Sequence, residues 1–421
     1  MRILPSSTLR AELRANLALA LPLLAAQLLF ISMGTVDTIV AGRLGAAPLA
    51  AVAVGSNLWF MVFVLFWGLF MAVSPIVAQR LGAGRPAPES GRFLRGALGL
   101  AAPLGLAWMV LLLALVGPVL DLLALEPQTR AYTEDYLYAI APGALPFALF
   151  FALRNAAEGY GQTRATLWAG LVGFIVNGVL SYGLAHGAWG LPALGPRGCG
   201  IATVAAGGAM VLAFAALYRW HPKLRELALY RREGWRPDAA TGEVLRLGGP
   251  IALIVTAEAW LFLVGALLMA RFGTDAVAAH QIAINFASIT FMVPMSIGMA
   301  TTVRVGYAAG AGNADAVRLR GLAGIGMGAC FSLVSASLMA LLPQAIVALY
   351  TDAAGVAALA AGFLYYAAVF QVADCVQATA NGALRGVKDA RVPMLITVSA
   401  YWLIGLPLAV ALAFQTPLGP P

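Results

Sequence analysis

The chain has 421 residues, 61% of them hydrophobic and only 10% charged, with a net charge of +8 and a mean hydropathy of +0.87. A water-soluble chain carries roughly 25% charged and 45–50% apolar residues, so this composition excludes an ordinary soluble globule. Apolar runs of about 20 residues recur, long enough to cross ~30 Å of hydrocarbon as helices, and the short alternating strands of a membrane barrel are absent.

Eleven spans are predicted, at about 15–40, 49–78, 94–119, 135–153, 165–187, 198–219, 244–270, 277–303, 319–349, 357–380 and 391–414. The first follows a charged start with Arg2, Arg10 and Arg14 and has no small-residue cleavage site, so it reads as a retained helix, not a cleaved signal. It carries Asp37. Trp59, Phe60, Phe63, Phe66 and Trp67 crowd the second span, where lipid-facing and interfacial packing is the expected use of most of them. Asn177 and Ser181 stand one turn apart on the fifth span, and Thr203 is on the sixth.

A basic segment, 221–243, separates an N-terminal lobe (1–220) from a C-terminal lobe (244–421). Glu258 lies in the middle of the seventh span, within ALIVTAEAWLFLVGALL. Gln281 and Asn285 are four apart on the eighth, behind His280, whose place near the outer surface favours interfacial packing over a proton relay. On the tenth, Gln371, Asp374 and Gln377 recur every three residues, with Asn381 four further on, which predicts a polar face. Such amides act either as ligands or as hydrogen-bonding glue between helices. Pro22, Pro146, Pro250, Pro294 and Pro407 lie in or at the ends of spans, where proline bends or ends a helix. Cys199, Cys330 and Cys375 are isolated and read as small apolar packing residues.

With the N-terminus inside, 22 of the 26 basic residues fall on the cytoplasmic side, leaving only Arg43, Arg130, Arg197 and Arg271 outside. That asymmetry is the positive-inside signature of a multi-pass inner-membrane protein. The positive charge then reflects topology and anionic headgroups of the bilayer, and nothing separate points to nucleic acid.

An internal repeat organises the chain. MAVSPIVAQRLGAG at 71–84 resembles MATTVRVGYAAGAG at 299–312, an offset of 228 that also aligns Arg43, Gly45 and Asn57 with Arg271, Gly273 and Asn285. Six spans separate the copies, so they share one orientation: parallel repeats about an axis along the membrane normal. The fold class is therefore an all-α integral membrane protein of two six-helix-type lobes. LGPR at 194–197 leads into a sixth span, whereas its echo LGPP at 418–421 ends the chain, so a twelfth helix is expected to be missing.

Three motifs narrow the family. VDTIVAGRLG at 36–45, EGYGQTR at 158–164 and GALRGVKDARVP at 382–393 occur in the order and places of signatures of the multidrug and toxic compound extrusion (MATE) family. The chain resembles its NorM branch, and the resemblance runs from about residue 15 to the end. It implies an antiporter that exports lipophilic organic cations in exchange for protons or sodium by alternating access, with no cofactor, acting as a monomer.

The acids fit that expectation. Of eighteen, only Asp37, Glu258 and Asp374 lie well inside apolar spans, with Glu158 at a helix end. Each intramembrane acid costs about 2.5–3.5 kcal/mol on insertion scales, so each is a functional candidate. The resemblance places Glu258 and Asp374 face to face in the second lobe, as a proton-coupling or sodium site. Burial favours the protonated form of a carboxyl group, and a second carboxylate strengthens its hold on a proton or hard cation. Some sodium-coupled relatives carry a tyrosine near this position, where the chain has Phe370, which weakens the sodium reading and leaves Gln371 as the substitute ligand. In the first lobe, Asp37, Asn177, Ser181 and Thr203 match a second family site. There Ser181 replaces an aspartate, leaving oxygen ligands but one fewer charge, so sodium is expected to bind less tightly while a proton-coupling role for Asp37 survives.

No HExxH, GxSxG or paired His–Asp spacing supports an enzyme. A flippase of lipid-linked precursors or polysaccharide shares the architecture and is the alternative reading. It calls for a basic cavity, whereas the charges inside these spans are acidic.

Overall fold

A computed structural model describes residues 8–415; Arg2 and the terminal LGPP lie outside that range. Among the described residues, eleven helices are long and apolar enough to cross a membrane. They are α1 (Leu9–Gly42), α2 (Ala46–Gly82), α3 (Ala87–Leu123), α4 (Pro127–Gly159), α5 (Thr163–His186), α6 (Pro196–Trp220), α7 (Thr241–Ala266), α8 (Thr274–Gly310), α9 (Ala314–Leu341), α10 (Ala354–Gly386) and α11 (Arg391–Phe414). The number agrees with the eleven expected spans, and the differences lie at boundaries. α9 stops at Leu341, eight residues early, because Pro343 starts a separate short helix, Pro343–Val347. α2 is divided by a turn at Met71–Ala72.

The repeat is visible in the backbone. Gly45 and Gly273 precede α2 and α8 at φ 123° and 97°, and Gly84 and Gly312 follow them at φ 68° each. Each pair is 228 residues apart. All four angles lie where a side chain is disfavoured, which accounts for glycine at both copies of each turn.

The chain forms two compact units. One runs from Ala25 to Ala252; the other joins the described residues up to Leu24 to those from Leu253 onward. α1 and α7 thus each contribute to both units. Pro22 and Pro250 lie two residues before the respective changes.

In the first unit an aromatic core joins α2, α3 and α4. Trp59 stacks on Trp108 at 4.7 Å, Phe66 on Trp108 at 5.4 Å, and Phe63 meets Phe151 edge-on at 5.3 Å. Contrary to the lipid-facing expectation, Trp59, Phe63 and Phe66 are buried in this core, because spacings of three and four put them on one helix face. Phe60, off that face, is 50% exposed. The basic segment after α6 is tied down by Arg95, which donates to the carbonyls of Glu233 at 2.5 Å and Ala228 at 2.6 Å. Asp238 then caps the start of α7, accepting from the backbone N–H of Thr241 at 2.9 Å.

In the second unit α8 and α10 cross closely. A Cβ on Gly382 would lie 2.3 Å from the Gly298 carbonyl oxygen, so only glycine permits the approach. The Thr302 hydroxyl, 2.8 Å from the Gly382 carbonyl, bridges the crossing. The N-terminal part of α1 is anchored here by a buried ionic cluster. Arg304 donates to both carboxylate oxygens of Glu12, Arg320 stands 3.6 Å away, and Asn16 donates to Thr301 at 2.9 Å. α11 is the least covered span; Leu395, Ile396, Leu403 and Ile404 are each more than 60% exposed.

Candidate functional site

Asp37 lies fifteen residues past Pro22 on α1, in the first unit, and is 6% exposed. Three side chains enclose it. Ser181 donates to Oδ1 at 2.5 Å, Asn177 Nδ2 stands 3.3 Å from the same oxygen, and the Thr203 hydroxyl is 3.2 Å from Oδ2. The four-residue spacing of Asn177 and Ser181 puts both on the buried face of α5, and α6 supplies Thr203. Every residue expected at this site is therefore present in it. Asn177 Oδ1 is buried without a hydrogen-bond partner, so a carboxylate, an unused amide oxygen and two hydroxyls converge. An all-oxygen set of this kind suits a hard cation or a proton on the acid. Tyr136 of α4, 2% exposed and within electrostatic reach of Asp37, also belongs to these surroundings.

Glu258 on α7 and Asp374 on α10 are the corresponding acids of the second unit. Both are half-buried, and the charge on Asp374 acts on Glu258. Arg385, eleven residues beyond Asp374, acts on Glu258 with the opposite sign. Eleven residues make about three turns, so Arg385 shares the helix face of Asp374 about 16 Å along it. Gln377 is held by a third helix, accepting the Tyr401 O–H at 3.0 Å. Trp402 Nε1 donates to the carbonyl of Ala257, next to Glu258, at 3.1 Å.

The other expected amides lie elsewhere. Gln371 is buried and donates to the Thr290 hydroxyl of α8 at 3.0 Å, a tie between helices. Gln281 and Asn285 lie on an exposed face of α8, and Asn285 accepts the Tyr350 O–H at 3.1 Å. His280 meets Phe363 edge-on at 6.4 Å. Glu158 pairs with Arg154 at 2.7 Å and accepts from Thr166 at 3.1 Å, a closed buried network. Among the described residues no three His, Cys, Asp or Glu side chains cluster as metal ligands, so neutral oxygens must complete any cation site at these acids.

The MatE family profile matches the chain twice, over residues 22–183 and 250–411. The chain belongs to the MatE family. Its two matches start 228 residues apart and end 228 apart, the offset of the internal repeat. The multidrug resistance protein PmpM of Pseudomonas aeruginosa is 41% identical, with 98% of this chain and 87% of that protein covered. The probable multidrug resistance protein NorM of Shewanella oneidensis is 40% identical, covering 94% of this chain and 86% of the relative. Among solved structures, the MATE transporter VcmN of Vibrio cholerae in its bent form has a TM-score of 0.86 at 18% identity, covering 98% of this chain and 93% of that one. The eukaryotic MATE transporter AtDTX14 has a TM-score of 0.85 at 17% identity, covering 97% and 90%. These likenesses identify a multi-pass membrane transporter of the MATE fold, with NorM-type sequence relatives.

Proposed function

We propose that this MatE-family chain is an antiporter that exports lipophilic organic cations in exchange for protons or sodium. It works by alternating access, as a monomer in the bacterial inner membrane with its N-terminus in the cytoplasm. The observation that carries the reading is the Glu258–Asp374 pair: two acids on different helices of one unit, both half-buried, with the charge of Asp374 acting on Glu258.

In a low dielectric two negative charges within reach of one another are costly, so the pair holds a cation or a proton for much of its cycle. An organic cation can fill that role as well as the coupling ion can. Because both neutralise the same charge, each displaces the other. Exchange follows when the site faces one side of the membrane and then the other. The multidrug resistance relatives support the substrate class. The concentration of basic residues on one side of the spans supports the orientation.

The test uses purified protein in liposomes loaded with a fluorescent lipophilic cation, given a pH jump and a sodium jump separately. Transport driven by either jump and lost in Asp374→Asn is the expected result and names the ion. No response to either jump, in protein shown to be folded, overturns antiport.

A further inference from the structure

α11 is interrupted by a π-helical turn, Ser399–Gly405. Such turns shift a helix out of register and recur at functional sites. In this one, two consecutive side chains reach the two acid-bearing helices of the same unit. Trp402 Nε1 donates to the Ala257 carbonyl, one residue before Glu258, and the Tyr401 O–H donates to Gln377, three residues after Asp374. Both aromatics are half-buried, whereas Leu403 and Ile404 beside them are exposed. The turn is thus fastened to α7 and α10 at the level of the acids, and Tyr401 is within electrostatic reach of both carboxylates.

We propose that Tyr401 is a third member of the Glu258–Asp374 site, supplying a neutral oxygen that helps to ligate and orient the coupling cation; this rests on the antiport reading. A phenol has one proton and two acceptor lone pairs. Gln377 Oε1 takes the proton, so the phenol oxygen is left to accept, from a hard cation or from the O–H of a protonated carboxyl group. A neutral ligand raises the oxygen count without adding negative charge, and hard cations need several oxygens. The charged groups facing Tyr401 are Glu258 of α7 and Asp374 of α10, with Arg385 further along α10 acting on Glu258.

The experiment measures efflux of a fluorescent lipophilic cation from liposomes as a function of coupling ion, in a sodium series at fixed pH and a pH series without sodium. The wild type is compared with Tyr401→Phe, which removes the hydroxyl and keeps the ring. The half-saturating ion concentration is expected to rise about tenfold, equivalent to about 1.4 kcal/mol, in whichever series drives the wild type. Any change in maximal rate or in affinity for the organic cation is expected to be smaller than this shift in ion dependence. A merely structural role for Tyr401 would lower rate and drug affinity together and leave the ion dependence in place, which overturns the proposal. Unchanged half-saturation in both series also overturns it. If Tyr401→Phe does not fold, Gln377→Met, which strips the phenol of its acceptor, takes its place, and unchanged ion dependence there has the same force. A wild type that responds to neither ion overturns the antiport reading, and the role of Tyr401 falls with it.

Discussion

Asp37 and the Glu258–Asp374 pair are acids in comparable places, the interiors of apolar helices, yet their surroundings differ in kind. Asp37 is sealed, with Ser181, Asn177 and Thr203 directed at its oxygens. Glu258 and Asp374 are half-buried, and Glu258 lies within electrostatic reach of two charged groups, Asp374 and Arg385. Neutral donors satisfy the oxygens of a carboxylate without adding a second charge. Two acids that repel have a strong reason to bind and release a cation. On the antiport reading proposed above, the changing charge of the transport cycle belongs to the pair in the second unit, and the Asp37 cage is the site to test against it.

The largest effect expected from this difference is functional. Glu258→Gln removes one member of the pair, and ion-driven efflux from liposomes should fall to the level of empty vesicles. Asp37→Asn keeps a polar group of the same size inside its cage, and efflux should be slowed but retain its ion dependence. The reverse result, with Asp37→Asn silent and Glu258→Gln active, would invert the assignment.

Another buried carboxylate shows what neutralisation by ion pairing looks like. Glu12 is held by Arg304 and Arg320, all three nearly inaccessible. Breaking a buried ion pair from one side typically costs 3–5 kcal/mol, because the partner charge is left unpaired (~4 kcal/mol as a working figure). Glu12→Gln should therefore lower the thermal unfolding midpoint in detergent by many degrees. The half-saturating coupling-ion concentration of the surviving protein should not move. A shift in ion dependence instead of stability would mean that Glu12 takes part in coupling.

Much of this arrangement is legible in the amino-acid sequence, for physical reasons that also mark where legibility ends. Asp37, Glu258 and Asp374 stand out because a charge inside an apolar run costs about 2.5–3.5 kcal/mol to insert. Asn177 and Ser181 are read correctly as neighbours because a four-residue step nearly completes a helical turn. Gln371 defeats the same reasoning. A three-residue step turns the helix 300°, so the pattern from Gln371 through Asp374 to Gln377 slips by about 60° each time. After two steps the slip is about 120°, and Gln371 points to Thr290 while Gln377 meets Tyr401. Tyr401 and Trp402 leave no signal, since aromatics in the middle of an apolar span read as ordinary packing residues. The π turn that redirects them depends on backbone register, which residue type does not reveal. The fold itself is the most readable part, because the repeat puts glycine at the same turns in both halves.

The finest test converts one site towards the other. Ser181 is fully buried and donates to Asp37 at 2.5 Å, so Ser181→Asp would set a second carboxylate against the first. Without a cation the two acids repel, and the variant should unfold at a lower temperature than the parent in choline buffer. Sodium should then restore stability, because affinity for a hard cation rises with the number of charged oxygen ligands. A tenfold gain in sodium affinity corresponds to about 1.4 kcal/mol, which appears as a sodium-dependent rise in unfolding midpoint through binding to the folded state alone. The parent, with one charge in the cage, should show a smaller rise. No response to sodium in either parent or variant would mean that the cage cannot admit a cation whatever its charge. Asp37 would then be a hydrogen-bonded structural residue, and the contrast between the two sites would be one of function against packing.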